Sequence, residues 1–437
     1  AHPSATRCRH LPAAPVNDPA AWLAPWAWSQ AEKCLVPPQS PAAGVDPSAA
    51  VSPWSLEHQQ RLEAALELDP TGPQAWALAL ALLQQPPEAS LRPLADQRRQ
   101  ALVGDAVTYV VNRNLNFTNH CLQHCSFCAF RRDAGQAGAF WHSFEALQAR
   151  AQEAAQAGAT ELCIQGGLNP EARLGGSSLA YYQALLRSLA EAAPGLHLHA
   201  FSPQELLFIA EQDQLPLQAV IDGLLEAGLG SVPGTAAEVL TEAVRRQLCP
   251  EKLSARQWCA VILQVHRSGL ASTATLMAGH LESPADRAAH LLTLVALQQA
   301  AWQHQTSGFS EFVLLPFIGA QAPAALRQRV GRDQPDLGAM LRLTAQARLL
   351  LGRWLVNHQP SWVKLTLAGA TEALHWGCND LGGTLMEESI TSMAGAQGGT
   401  RQSPASLEAA ARSLGRPVRQ RSTLYGVVVP AGALPCQ

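Results

Sequence analysis

Lysine is scarce in this sequence of 437 residues. Lys33, Lys252 and Lys364 are its lysines, so the positive charge lies mainly on scattered arginines and forms no basic block. This pattern excludes an extended nucleic-acid surface. The sequence also lacks an apolar run long enough to span a membrane, and residues 1–19 have neither the basic nor the apolar segment of a secretion signal. These absences predict a globular cytoplasmic protein without a nucleic-acid or membrane partner.

Cysteine is also infrequent, but three cysteines lie close together. The chain has 10 cysteines, too few for a disulfide scaffold at this length, and most of them are isolated in sequence. Cys121, Cys125 and Cys128 lie within NHCLQHCSFCAF, residues 119–130, directly after a β-like run. This trio is the strongest chemical signal in the sequence.

Composition and periodicity divide the chain into four parts. Residues 1–54, rich in Pro and Ala, are predicted to be a poorly ordered lead-in, and residues 55–104 a helical preface. Residues 105–350 are predicted to form the core barrel, and residues 351–437 a C-terminal extension that completes and caps it.

Short apolar segments alternate with amphipathic ones through the core. The strand candidates are TYVVNRNLNFTN (108–119), TELCIQGG (160–167), LHLHAFSP (196–203), LGSVPG (229–234), ASTATLMAGH (271–280), EFVLLPF (311–317) and WVKLTLAG (362–369). The amphipathic segments between them, several of which begin with Ser or Thr, predict helices. Such alternation predicts an α/β fold with a parallel sheet, and the number of units favours a TIM-type (β/α) barrel over an open sheet. Polar residues follow the strands, at the face where barrels place active sites.

Three thiolates on one short loop fit an iron–sulfur cluster better than zinc. A structural zinc site takes four protein ligands, whereas a 4Fe-4S cluster held by three thiolates keeps one iron open for a cofactor. His120 and His124 flank the loop, but a neighbouring histidine more often packs or hydrogen-bonds than supplies a fourth ligand. Three ordinary buried cysteines at chance spacing are the simplest alternative.

The motif C-x3-C-x-F-C, with Phe127 before the last cysteine, resembles the radical S-adenosylmethionine (SAM) enzymes. In those enzymes the open iron binds SAM, and reduction splits SAM into methionine and a 5'-deoxyadenosyl radical. Other stretches resemble the CofH-type enzymes, the FO synthase subunit 2 family of deazaflavin biosynthesis. They are DAVTYVVNRNLNFTNHC, CIQGGL, HAFSPQE, GLGSVPGTAAEVL, EFVLLPF and WGCNDLGGTLMEESI, and the resemblance covers about residues 95–426.

This resemblance implies a transferase that joins L-tyrosine to 5-amino-6-(D-ribitylamino)uracil. The Cα–Cβ bond of tyrosine breaks, the 4-hydroxybenzyl group adds to C5 of the uracil, and 2-iminoacetate, methionine and 5'-deoxyadenosine are released. The implied cofactors are a 4Fe-4S cluster and SAM, with Cys121, Cys125 and Cys128 as the cluster ligands. The implied partners are an external one-electron donor and FO synthase subunit 1, a CofG-type enzyme that closes the ring of FO, the coenzyme F420 precursor.

Five residues at the ends of the second and third strand candidates are predicted to bind SAM. Gln165, Gly166 and Gly167 replace the Gly-Gly-Glu common in radical SAM enzymes, and glycines let backbone approach the SAM amino group. A plain strand-to-helix turn is the alternative. Ser202 and Glu205, in SPQE, could hydrogen-bond SAM or a substrate, although an acidic first turn also fits an ordinary helix N-terminus.

Substrate-binding candidates come from two later segments. Thr273 and Thr275 share one side of a strand candidate, because side chains alternate along a strand. Asn379, Asp380 and Thr384, in WGCNDLGGT, offer polar groups for the uracil or its ribityl chain, with a turn capped by Asp as the alternative.

Two other residues are given no role in the chemistry. Lys364 is predicted to extend its amine to solvent, as single lysines commonly do. Ala278 stands where the family commonly has Tyr, so no aromatic role is assigned there. The sequence identifies no catalytic side chain.

Two other functions compete with the transferase. A radical SAM enzyme of the futalosine route to menaquinone has a similar cysteine loop and barrel but a different acceptor. An iron–sulfur or zinc protein without catalytic activity is the alternative of another class, and SAM cleavage distinguishes it from an enzyme.

Overall fold

The computed structural model describes residues 19–39, 53–84 and 86–428. Strands in this part are β1 (Val107–Val110), β2 (Asn112–Asn116), β3 (Glu161–Gln165), β4 (His197–Ala200), β5 (Ser231–Val232), β6 (Ala271–Ala278), β7 (Phe309–Pro316), β8 (His358–Pro360), β9 (Asp380–Gly383) and β10 (Val418–Gln420). Seven of them form a parallel sheet in the order β2-β3-β4-β5-β6-β7-β8, and three form a parallel sheet in the order β10-β1-β9. The predicted α/β class with a parallel sheet is confirmed.

Helices precede the first strand and connect the later ones. They are α1 (Pro25–Cys34), α2 (Leu56–Leu68), α3 (Pro73–Leu83), α4 (Glu88–Val103), α5 (Phe144–Gln156), α6 (Ser178–Ala192), α7 (Pro203–Asp213), α8 (Leu217–Glu226), α9 (Glu242–Leu248), α10 (Ala255–Arg267), α11 (Pro284–Gln303), α12 (Ala324–Val330), α13 (Leu337–Leu351), α14 (Trp362–Ala373), a 3-10 helix (Leu374–Trp376), α15 (Ile390–Met393) and α16 (Pro404–Ser413). Ser143, Ser254 and Ser283 cap α5, α10 and α11 with their side-chain oxygens, as their positions before amphipathic segments predict. None of the described helices is long and apolar enough to cross a membrane.

The first four helices pack against the outer helices of the sheet. α1 contacts α10, α3 contacts α11, and α4 contacts α13. Between residues 55 and 104 the structure has α2, α3 and α4. α1 lies within residues 1–54, the predicted lead-in, and its buried Ala27, Ala31 and Cys34 give it an apolar face. The rest of that lead-in lies mainly outside the described residues.

The segment before the cysteines forms two strands instead of the single predicted one. β1 and β2 are separated by Val111 alone, yet β1 pairs with β9 and β10 while β2 pairs with β3. The partners of β1 come from the far end of the chain, and local residue pattern does not specify them.

Residues 379–385 fill the gap between the two edges of the seven-stranded sheet. The Asn379 N–H donates to the His358 carbonyl in β8 at 3.1 Å, and the Asn114 N–H in β2 donates to the Leu385 carbonyl at 2.9 Å. The two sheets therefore enclose one barrel-like interior, in which β9 and β1 occupy the place of an eighth strand.

The segment WVKLTLAG is a helix, so its prediction as a strand is wrong. It begins α14 directly after β8, and Thr366, at a φ of 64°, kinks the helix after its first turn. A short apolar run does not distinguish a strand from a helix. A tertiary contact holds the start of this helix, since the Trp362 indole N–H donates to the Gly383 carbonyl in β9 at 2.9 Å.

Candidate active site

A cavity of about 330 Å³ opens at the carboxyl ends of the strands. Its walls come from the ends of β3, β6 and β7, from residues 388–394, and from residues 119–132, which we call the cysteine loop. This is the face at which parallel barrels carry their active sites.

Backbone hydrogen bonds fix the cysteine loop to its neighbours. The Leu122 N–H donates to the Leu168 carbonyl after β3 at 3.1 Å. Both the backbone N–H and the hydroxyl of Ser126 donate to the Leu248 carbonyl at the end of α9, at 3.0 and 2.8 Å. The loop is therefore held from two sides, which orients its cysteines.

Cys121, Cys125 and Cys128 are half-buried free thiols that line the cavity together. Burial raises the pKa of the Cys125 thiol to about 12, and the Lys252 ammonium acts in the opposite direction. Among the described residues, no three His, Cys, Asp or Glu side chains converge on a position for a single metal ion. A 4Fe-4S cube takes one thiolate at each iron, so three separated soft thiols suit it.

The flanking histidines do not line the cavity. The His124 ring lies outside it, with Nδ1 3.2 Å from the Glu251 carboxylate and Nε2 2.6 Å from Arg131 Nη2. His120 Nδ1 is buried and has no hydrogen-bond partner among the described residues. His124 thus behaves as the sequence analysis expects of a neighbouring histidine.

Gly166 and Gly167 allow the end of β3 to pack against the base of the cysteine loop. A Cβ atom at Gly167 would lie 2.1 Å from the His120 carbonyl oxygen, and one at Gly166 would lie 2.5 Å from the Phe117 ring. Both glycines line the cavity. Close packing of protein against protein therefore explains the two glycines without reference to a ligand.

Ser202 and Glu205 link the ends of two strands. They form a capping box at the start of α7, in which the Ser202 N–H donates to Glu205 Oε2 at 2.7 Å. Glu205 Oε1 accepts a hydrogen bond from the Gly166 N–H at 3.0 Å. Burial raises the pKa of Glu205 to about 7, against the hydrogen bonds from Ser202 and Gly166. Both residues line the cavity, so they cap the helix and also lie at the site.

The other predicted site residues near the cavity form hydrogen bonds with the loop after β5. The Gln165 amide donates to the Thr235 hydroxyl at 3.2 Å. The Thr275 hydroxyl donates to the Gly234 carbonyl, and the Thr273 hydroxyl accepts from the Gly234 N–H, each at 2.8 Å. Gln165 and Thr275 line the cavity, whereas Thr273 serves to fix the loop after β5.

Asn379 and Thr384 lie on the barrel wall, away from the cavity, in contrast to the prediction. Asn379 Oδ1 accepts hydrogen bonds from Arg348 at 2.8 Å and from the His358 N–H at 2.9 Å. The Thr384 hydroxyl donates to the Asn112 carbonyl at 2.8 Å and accepts from the Asn112 N–H at 3.0 Å. These bonds connect β8, β9 and β2, and they occupy the polar groups that the prediction offered to the uracil.

Asp380 lies at the opposite, amino end of the barrel. Arg421 Nη2 donates to Asp380 and to Glu311, each at 3.0 Å, and the Tyr425 hydroxyl donates to Glu311 at 2.6 Å. We call these four residues the amino-end cluster. Because Asp380 has an arginine partner inside this cluster, it is separated from the cavity, and the prediction that it contacts substrate does not fit its position.

Two family models match consecutive parts of the chain. Residues 115–294 match the radical SAM superfamily, and residues 306–429 match the CofH/MqnC C-terminal region. A protein of Cyanothece sp. is 58% identical over 349 residues, covering 79% of this chain and 92% of that relative. A protein of Thermosynechococcus vestitus is 56% identical over 359 residues, covering 80% and 91%. Both relatives are named 5-amino-6-(D-ribitylamino)uracil–L-tyrosine 4-hydroxyphenyl transferase. The chain belongs to this family of radical SAM enzymes.

Solved structures of two other proteins share the fold. Methylornithine synthase (PylB) superposes with a TM-score of 0.59 at 14% identity, covering 83% of this chain and 97% of that one. The FeFe-hydrogenase maturase HydG of Carboxydothermus hydrogenoformans superposes with a TM-score of 0.60 at 14% identity, covering 84% and 80%. At this identity the likeness shows the architecture alone.

The sequence analysis missed two lysines in the cavity of this radical SAM enzyme. Lys252 Nζ lies 2.8 Å from Glu238 Oε1 and 5.5 Å from the centre of the Phe127 ring. Lys364 faces the same cavity, so the prediction that it extends to solvent is wrong. The signal available in the sequence was the rarity of lysine. Two of the three lysines in the chain line this one cavity.

Glu238 reaches the cavity because the segment before α9 is a loop. The pattern TAAEVLTEAVRRQL predicts a helix over residues 235–248, yet only Glu242–Leu248 is helical, and Ala236 and Glu238 have φ values of 63° and 44°. Arg245 holds this loop open by donating to the Ala237 carbonyl at 2.6 Å. A local helical pattern is overridden here by a buried arginine.

Proposed function

We propose that this protein transfers the 4-hydroxybenzyl group of L-tyrosine to C5 of 5-amino-6-(D-ribitylamino)uracil. The Cα–Cβ bond of tyrosine breaks, and 2-iminoacetate, methionine and 5'-deoxyadenosine are the other products. The observation that carries the proposal is the position of three free thiols in one cavity at the carboxyl ends of the strands. It is supported by relatives that bear the name of this transferase and match most of the chain.

The cavity residues suit the cofactors that the radical SAM superfamily uses generally. Cys121, Cys125 and Cys128 would hold a 4Fe-4S cluster, and residues 165–167 with Ser202 and Glu205 would contact SAM. When bound, these cofactors supply the 5'-deoxyadenosyl group as a radical. Gly166 and Gly167 carry no side chains, so their backbone is open to the cavity. The Glu205 carboxyl is fixed by three hydrogen-bond donors.

The remaining walls would orient the substrates and exclude water. Phe130, Met277 and Phe317 line the cavity with apolar surface, which limits side reactions of a reactive carbon centre. Thr275 offers a polar contact beside them. We assign residues 351–437 to barrel completion and capping, because residues 379–385 fill the sheet gap and residues 388–394 cover the cavity.

The proposal also includes partners and location. An external one-electron donor would reduce the cluster, and a CofG-type enzyme would close the ring of FO. We place these steps in the cytoplasm, since none of the described helices could span a membrane.

Reconstitution tests the proposed reaction. The protein would be loaded anaerobically with iron and sulfide, then incubated with SAM, L-tyrosine, the diaminouracil and a chemical reductant. We expect a hydroxybenzyl adduct of the uracil, formed together with 5'-deoxyadenosine and detected by mass spectrometry. Release of 5'-deoxyadenosine without an adduct would contradict the proposed substrates.

The same experiment separates the two competing functions. The family model that matches the C-terminal region names both the CofH and the MqnC types, so it does not separate the transferase from the competing enzyme. Substrates of the futalosine route are therefore the matched comparison. Turnover of those substrates alone would assign the protein to that route. A protein that binds iron but never cleaves SAM would be a non-catalytic metal protein.

A further inference from the structure

Lys364 is held rigidly at the rim of the sheet. It lies in the first turn of α14, immediately after β8, where the Trp362 indole is fixed to Gly383. The Gly398 N–H donates to the Val363 carbonyl at 3.0 Å, and a Cβ atom at Gly398 would lie 2.2 Å from the Trp362 carbonyl oxygen. The turn that carries the lysine is therefore clamped between β9 and the loop after α15.

The Lys364 amine faces the cavity without a protein partner. No hydrogen bond or ion pair joins it to any residue in the described ranges, and the side chain is half-buried at the cavity wall. Burial lowers the pKa of Lys364 to about 8, with Glu388 and Glu238 opposing that change. The amine is thus still mostly protonated at neutral pH, and a half-buried ammonium that faces a cavity without a protein partner can bind an anionic group of a ligand there.

The nearby carboxylates are already engaged. Glu388 accepts hydrogen bonds from the Thr391 and Ser392 N–H groups, at 2.7 and 3.0 Å, and so caps α15. Glu238 pairs with Lys252 at 2.8 Å. Arg131 also lines the cavity, but it pairs with Asp133 and donates to the Cys121 carbonyl. Within the described residues, Lys364 is therefore the cation of this cavity that is free to take an anion from a ligand.

We propose that Lys364 binds the α-carboxylate of L-tyrosine. This inference rests on the proposed function, whose two substrates differ in charge: tyrosine carries a carboxylate, whereas the uracil and its ribityl chain carry no fixed negative charge. In radical SAM enzymes the carboxylate of SAM is taken by the open iron, which leaves tyrosine as the remaining carboxylate. Fixing that group places the Cα–Cβ bond relative to the cysteine loop.

The assignment is tested by changing both the protein and the ligand and comparing the four affinities. The reconstituted protein with SAM would be titrated with L-tyrosine and with tyramine, which keeps the phenol and the amine but lacks the carboxylate. We expect the unchanged protein to prefer tyrosine by roughly 30-fold or more, as for a close ion pair. Lys364→Met should remove most of that preference while tyramine affinity changes little, and Lys364→Arg should retain part of it.

Lys33→Met is the matched control, because Lys33 is exposed on α1. It should leave the preference unchanged, and iron content with circular dichroism should confirm that every variant is folded. Should Lys364→Met misfold, Lys364→Gln provides the same comparison. An undiminished preference for tyrosine in either variant would overturn the Lys364 assignment alone. If the unchanged protein makes no hydroxybenzyl adduct, the proposed function falls instead.

Discussion

Both ends of the barrel bury polar or charged groups, but the two ends differ in which of these groups have protein partners. At the amino end, Arg421 is shared between Asp380 and Glu311, and Tyr425 donates to Glu311. At the carboxyl end, three thiols and the Lys364 amine face open space. Buried charges with protein partners are satisfied within the barrel, whereas unpaired groups directed at a cavity can bind a ligand. A buried or half-buried group without a protein partner therefore indicates a binding site better than residue type does.

Cys125→Ala should have the largest effect, at the carboxyl end. The change removes one of the three proposed cluster ligands, so 5'-deoxyadenosine release should fall to background while the unfolding midpoint changes little. The measurements are cluster absorbance after anaerobic reconstitution and SAM cleavage. Cys259→Ala, on buried α10, is the control and should keep both signals. Retained SAM cleavage in Cys125→Ala would refute the ligand assignment.

Arg421→Met should have the next largest effect, at the amino end. It leaves Asp380 and Glu311 buried without their cation, which costs about 3–5 kcal/mol of unfolding free energy. Urea denaturation measures the loss. Arg419→Met, an exposed position on β10, should change stability far less. Equal stability of the two variants would show that the amino-end cluster does not hold the barrel together.

Glu205→Gln should change how stability depends on pH. Burial raises the pKa of Glu205 from 4.5 to about 7, so the folded protein holds a proton that the unfolded chain has released. This contribution is fully present below pH 4.5, declines between the two values, and is lost above about pH 7, amounting to up to about 3 kcal/mol.

The glutamine variant keeps the capping box but cannot titrate. Relative to the unchanged protein, it should therefore gain stability as the pH rises from 4.5 to 8, measured by urea unfolding at each pH. Glu226→Gln, at an exposed position, is the control. Parallel stability curves for the protein and Glu205→Gln would contradict the raised pKa.

Gly167→Ala should have the smallest effect overall. The added Cβ meets the His120 carbonyl at 2.1 Å, so the cysteine loop must shift, at a cost of about 1–3 kcal/mol. We expect a clear loss of the iron bound after reconstitution and only a small change in the unfolding midpoint. Gly338→Ala, with space around its Cβ on α13, should preserve iron content. Normal iron loading in Gly167→Ala would show that the loop adapts to the contact.

Local features of the fold were readable from the sequence. The cores of the predicted strands became β3 to β7, because alternation and apolar runs report burial within a few residues. Serines before amphipathic segments marked helix starts for the same reason. The cysteine trio was also local, so its position after a strand could be predicted.

Features that depend on distant partners could not be read in this way. Asp380 was interpreted as a substrate contact because its pairing with Arg421 joins segments far apart in sequence. The tendency of single lysines to extend to solvent predicts an exposed amine for Lys364, whereas the structure places this residue at the start of α14, facing the cavity. Polar side chains near glycine look alike in sequence, whether their partner is a ligand or another part of the chain.

The closure of the barrel by residues 379–385 has a consequence for biosynthesis. Thr108 in β1 contacts Asp380, which is 272 residues later in the chain. During translation, the strands from β2 to β8 therefore emerge before the segment that covers their edges. Exposed strand edges favour aggregation, and contacts between such distant residues form slowly. The yield of folded protein should thus depend on events late in synthesis, long after the cysteine loop has left the ribosome.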